Sequence, residues 1–161
     1  MSVEESVGTG YEGIFSRRKL EGDRKREVRE VLARLLPAEV AKPVGEQGEW
    51  AEKTKFAALA PGQQSLVLFA RAVVGAGPPF GEGGRADGSS RKELIILDEP
   101  FNSMEPDQIA RCRRELRRLG SSVAVVWVGH WEGERPWGPE EPGAKFIKLE
   151  AGRVVDRSPQ S

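Results

Sequence analysis

The sequence predicts an α/β protein with a parallel central sheet, and three observations carry that expectation. Leu94-Ile95-Ile96-Leu97 is a short continuous apolar run leading into Asp98-Glu99-Pro100. A second run, from Val123 to Val128, ends at Gly129-His130. Between them lies a helical pattern, so the chain crosses over as a helix and returns to the same edge of the sheet. Unbroken apolar runs of strand length are the mark of parallel strands covered on both faces.

Along the chain, residues 1–22 are polar and Gly-containing and read as loop or short irregular structure. From Asp23 the apolar positions Val28, Val31, Leu32, Leu35 and Leu36 recur at helical spacing, and Pro37 stops the helix. Residues 38–55 form a polar connector holding Trp50. A second helix begins near Gly62 and runs to Val74, rich in Leu, Val, Phe and Ala. Gly75 to Ser90 is dense in Gly and Pro and reads as a flexible insertion. After the strand 94–97 comes a loop through Glu105. Pro106 then opens a helix at its first turn. Ile109, Cys112, Leu116 and Leu119 form its buried face, and Gly120 caps its end. Residues 131–144 read as loop. Lys145–Leu149 and Arg153–Val155, joined across Ala151-Gly152, read as a closing hairpin. There is no internal repeat.

The 161 residues suit one domain with a real core. Hydrophobic content of 38% is low for a globular chain and 31% charged is high. Lys+Arg and Asp+Glu each total 25, so no global field draws the chain to nucleic acid or acidic lipid. Cys112, the single cysteine, cannot form an internal disulfide, and it neither requires nor excludes a reducing compartment. No apolar run approaches the ~20 residues of a membrane span. Met1 to Thr9 carries two glutamates and no apolar core, so it is not a secretory signal.

Asp98-Glu99 is the strongest chemical signal. A strand can simply end in two solvated acids, but Pro100 and the loop-helix pattern after it favour a site. Open α/β sheets hold ligands at the C-terminal ends of their strands. There Asp98 can bind Mg²⁺, a hard ion that takes oxygen ligands and keeps several waters. Glu99 can accept a proton from, or orient, the water attacking a γ-phosphate. His130, the only histidine, is either a loop residue or a hydrogen-bond donor to a γ-phosphate oxygen. The crossover topology favours the second reading, because it brings His130 to the same rim as Glu99.

Leu59-Ala60-Pro61-Gly62-Gln63-Gln64 precedes an apolar helix. A helix N-terminus offers free N–H groups to phosphate, although taken alone this is a routine loop-to-helix junction. Gly8-Thr9-Gly10-Tyr11-Glu12-Gly13 fits G-x-G-x-x-G by chance, with no strand before it. No Gly-Lys dipeptide occurs, so a phosphate-binding loop of the G-x-x-x-x-G-K-[ST] type is absent from the sequence. Arg17-Arg18-Lys19, Arg24, Lys25, Arg26 and Arg29 are interleaved with Glu21, Asp23, Glu27 and Glu30, which makes a salt-bridged helix face rather than a nucleic-acid surface. Trp127 reads as core, and Trp131 and Trp137 as loop packing or a partner surface.

In order and approximate spacing, four of these pieces resemble an ABC-type ATPase (the ATP-binding cassette nucleotide-binding domain). Leu59-Ala60-Pro61-Gly62-Gln63, with Gln64, Val67 and Ala70-Arg71-Ala72, resembles the signature loop and helix. Leu94 to Glu99 resembles the Walker B strand with its catalytic glutamate. Asn102-Ser103-Met104-Glu105-Pro106 takes the place of the D-loop, and His130 that of the switch histidine. The likeness covers residues 56–155 and is nearer the transport-like branch than the DNA-repair branch. It departs from the pattern at Ala60, where the family has serine, at Pro61 (glycine) and at Glu105 (aspartate). The family's N-terminal half is missing: there is no Walker A, no aromatic adenine platform and no recognisable Q-loop glutamine.

The resemblance implies the C-terminal portion of a P-loop NTPase core. A helical subdomain would span about 11–74, an insertion 75–92, and the Walker B-to-end core with its β-hairpin 93–157. It implies ATP and Mg²⁺ as cofactors, Asp98 at the metal, and Glu99 and His130 as catalytic residues. Ala60, Pro61, Gly62 and Gln63 would close over ATP bound by a partner, beside the D-loop residues Asn102, Ser103, Met104 and Glu105. The partner is a second nucleotide-binding domain, alike or different, or the missing half. Any transport role needs a separate membrane subunit. The implied setting is intracellular, in the cytoplasm or an organelle such as the mitochondrion. Without Walker A the chain is expected to be weak or inactive alone, and to leave a sheet face and edge bare. A fragment, a truncated gene model and a degenerate paralogue all fit. The alternative, from a different functional class, is a non-catalytic module that docks onto a complete ABC domain and regulates it.

Overall fold

The computed structural model describes residues 1–11, 22–36, 50–76, 94–120, 123–130, 147–150 and 153–156. Expectations for the basic run 17–19, the connector over 38–49, the insertion 75–92 beyond its first two residues, and the loop 131–144 with Trp131 and Trp137 fall outside these residues.

A helix, α1 (Val3–Gly8), stands where irregular structure was expected. The Ser2 hydroxyl accepts from the Glu5 amide at 3.2 Å, and the Glu5 carboxylate accepts from the Ser2 amide at 2.7 Å. This reciprocal pair satisfies two amides that the first turn leaves free. The helix offers only Val3 and Val7 to the core, both fully buried. Two apolar positions are too few for periodicity to reveal.

Helix α2 (Gly22–Leu35) buries Val28, Val31, Leu32 and Leu35, as its spacing predicts. Its outer face carries Arg26 between Asp23 and Glu30, at 3.1 and 3.9 Å. Its inner cations are used structurally. Arg29 and Lys25 reach the nearly buried Glu4 of α1 at 2.8 and 3.3 Å, and both also meet Glu52. That ionic cluster fastens α1, α2 and the helical turn 50–53 together.

Helix α3 (Pro61–Val73) begins with Pro at its first turn, where the missing N–H costs nothing. Leu66, Val67, Phe69, Ala70 and Val73 are buried against α1 and α2. Strand β1 (Leu94–Asp98) pairs in parallel with β2 (Ala124–Val128), from Leu94 opposite Ala124 to Asp98 opposite Val128. The crossover helix α4 (Pro106–Leu119) buries Cys112, Leu116 and Leu119, with Ile109 partly buried, and ends at Gly120. Gly120 has φ +65°, which glycine adopts without a Cβ penalty. Strands β3 (Ile147–Glu150) and β4 (Arg153–Asp156) pair antiparallel, close to the expected hairpin.

Helices α2 and α4 are tied by charge as well as packing. The Arg34 guanidinium donates two bonds to the Glu115 carboxylate, at 2.9 and 3.0 Å, and Arg118 donates to the same group from one turn on.

One expectation is corrected. The apolar runs predict strands covered on both faces, whereas only one face of β1 is covered. Ile95 and Leu97 are buried in the core, while Leu94 and Ile96 are 53% and 66% exposed. In β2 the outward residues Val126 and Val128 are likewise about half exposed, at 47% and 48%. Among the described residues the helices cover one face of the strand pair, so alternation rather than continuous burial results. Trp127 is only partly buried and rests on Phe101, with ring centroids 4.4 Å apart. Among the described residues no helix is long and apolar enough to cross a membrane.

Candidate functional site

The parallel register brings the C-terminal ends of β1 and β2 side by side. Asp98 closes β1 on the same face as Leu94 and Ile96, and is exposed. The Glu99 amide donates to the Val128 carbonyl at 2.9 Å, which extends the ladder by one bond past the strand. The backbone then breaks away at Glu99, where φ is +43°. Positive φ in a residue with a Cβ is strained, and such positions cluster at functional sites.

That break aims the Glu99 side chain across the strand ends. Its Oε1 lies 2.5 Å from Nε2 of His130, two residues beyond β2. The pair sits at the surface, with the imidazole 75% exposed, so solvent screens it and it adds little to stability. An exposed, close acid–imidazole pair at the C-terminal ends of two parallel strands is suited to handling a proton on a water or on a ligand oxygen.

The turn after Glu99 is held from several sides. The Asn102 amide donates to the Glu99 carbonyl and the Met104 amide to the Phe101 carbonyl, both at 3.1 Å. Ser103 is a second strained position, with φ +65°. From α3, the Ser65 hydroxyl donates to the Asn102 carbonyl at 3.0 Å. From α4, the nearly buried Gln108 side chain accepts from the Glu105 amide at 2.8 Å.

The two loops picked out by sequence therefore pack on each other within one chain. Gly62 faces the turn so closely that a Cβ there would lie 2.7 Å from the Ser103 carbonyl oxygen and 3.0 Å from the Gln108 side-chain oxygen. Gly62 is needed for this approach of loop to loop. At the head of α3, Ala60 supplies no capping oxygen. Gln63 instead folds back to accept from the Ala60 amide at 3.2 Å, and Gln64 donates to the Leu59 carbonyl at 2.9 Å. Ala60 and Pro61 are exposed, as are Asn102, Ser103 and Glu105.

Sequence reasoning missed Ser65 and Gln108. Gln108 had a local signal, since a Gln three residues after a helix-opening position reaches back to the amide there. Ser65 had none, because its partner is a loop 37 positions away.

Among the described residues no group of three or more His, Cys, Asp or Glu is placed to hold a metal. Asp98 alone fits the sparser mode of Mg²⁺, which takes one or two carboxylates and fills its shell with waters and phosphate oxygens. No protein-family model matches the chain, and no curated protein matches it.

Proposed function

We propose that this chain forms part of an ABC-type ATPase, supplying the magnesium and water end of an ATP site whose phosphate grip comes from elsewhere. The observation that carries the reading is the placement of Glu99 and His130, 2.5 Å apart at adjacent parallel strand ends, directly after Asp98. In this reading Asp98 offers a carboxylate oxygen to Mg²⁺. Glu99 orients a water and takes its proton, and His130, turning from Glu99 when nucleotide enters, donates a hydrogen bond to a phosphate oxygen. Bound Mg²⁺ would offset charge on the β- and γ-phosphate oxygens. The loop Ala60–Gln63, next to Asn102–Glu105, would face nucleotide held by a second domain.

The Walker A backbone and lysine that do most of the positioning in phosphoryl transfer are absent from this sequence. The isolated chain is therefore expected to hydrolyse ATP no faster than background. The test is Mg²⁺-dependent hydrolysis by an assembly of this chain with a domain bearing a phosphate-binding loop. Glu99→Gln should lower kcat by about 10²–10⁴-fold, the usual worth of a general base. Equal rates with and without the substitution would remove Glu99 from the chemistry.

A second reading, a regulatory module without catalysis, is favoured by one local feature. Ala60 has no hydroxyl and Pro61 no N–H to offer a phosphate. It predicts that the assembly's activity survives Glu99→Gln but changes when this chain is withdrawn.

A further inference from the structure

We propose that Ser65 and Gln108 are positioning residues that hold Glu99 against His130, so that the loop 60–63 and the acid–imidazole pair move as one body. The proposed role in ATP hydrolysis rests on the reading above, but the mechanical link does not.

The link can be followed bond by bond. The Ser65 hydroxyl, on the second turn of α3, holds the Asn102 carbonyl at 3.0 Å. The amide of the same Asn102 holds the Glu99 carbonyl at 3.1 Å. The Glu99 side chain meets His130 at 2.5 Å. On the far side of the turn, Gln108 fixes the Glu105 amide at 2.8 Å while standing against Gly62. The turn these anchors hold has strained, non-glycine residues at two places, Ser103 between the anchored residues and Glu99 three positions before Asn102. A strained turn persists only where its surroundings over-determine it. Left without its anchors, the segment relaxes toward negative φ, and Glu99 is then no longer aimed at the end of β2. The anchors come from the N-terminal turns of α3 and α4, so displacement of the loop that begins α3 is passed to Glu99.

His130 is the only histidine of the chain, so its ring carbon–proton signals report the pair without overlap. The experiment is a ¹³C-resolved NMR spectrum of the full chain at fixed pH without nucleotide, with Glu99→Gln setting the displacement that marks loss of the pair. Ser65→Ala and Gln108→Ala should each move the ring signals in that same direction. Ser65→Thr, which keeps the hydroxyl, should restore the wild-type position. Unmoved ring signals in folded Ser65→Ala protein would overturn the assignment. Should Gln108→Ala fail to fold, Ser65→Ala decides alone, since its bond lies at the surface. Displaced signals in a chain whose assembly does not hydrolyse ATP would keep the positioning role and remove the ATPase reading. Unmoved signals in an active assembly would do the reverse.

Discussion

Burial alone would raise the carboxyl of Glu115, but hydrogen bonds from Arg118 and then Arg34 outweigh it and hold the group below its ordinary value of 4.5. A carboxyl depressed in the folded state stabilises the fold fully above that value. The contribution is lost as pH falls through the lower, folded one. Thermal melts should therefore show Tm dropping below about pH 4.5, and Glu115→Gln should flatten part of that drop. An unchanged slope in the variant would mean the Glu115 pairing contributes nothing to acid sensitivity. At neutral pH, Glu115→Ala should cost about 1.5–3 kcal/mol in urea unfolding, because it removes the buried carboxylate that accepts charged hydrogen bonds from both Arg34 and Arg118. Neighbouring Cys112 is pushed up to about 12, first by burial and then by the Glu115 charge, which keeps it a thiol. At the same scale, the placement of Asp98, Glu99 and His130 at the strand ends was legible in the sequence, because each follows an apolar run of strand length. Glu115 was not. An acid among arginines in mid-helix looks like a solvated face, and Arg34 lies 81 positions away.

Helices and strands were legible wherever burial repeats often enough to leave a period. Helices α2 and α4 and both parallel strands lie within a residue or two of where the pattern puts them. Helix α1 shows the limit, since six residues hold one capping box and two buried valines. The turn between β1 and α4 could be placed but its shape could not be read. Nothing in Phe101-Asn102-Ser103 announces a left-handed backbone, because Ser103 adopts it under tertiary constraint and not from local preference. Ser103→Gly should relieve that conformation and raise stability by about 1 kcal/mol, read as a higher urea midpoint at constant m. A lower midpoint would show that the serine makes a compensating contact.

For the whole molecule, the helices cover one side of the β1–β2 pair and leave Leu94, Ile96, Val126 and Val128 in water on the other. The resemblance led to that expectation, whereas the apolar runs alone pointed to burial on both faces. The difference arises because strand composition records the surroundings a sheet is suited to, while this set of helices provides only one of its two sides. A contiguous apolar face on parallel strands favours association. Light scattering should show concentration-dependent oligomers, and Ile96→Thr with Val126→Thr should shift the protein toward monomer at similar Tm. Identical masses for both proteins would place the contact elsewhere. In a living cell a bare apolar side of this kind would be open to chaperones and proteases. The steady-state amount of this polypeptide would then follow the supply of whatever shields it, and overproduction by itself would yield mostly degraded or insoluble material.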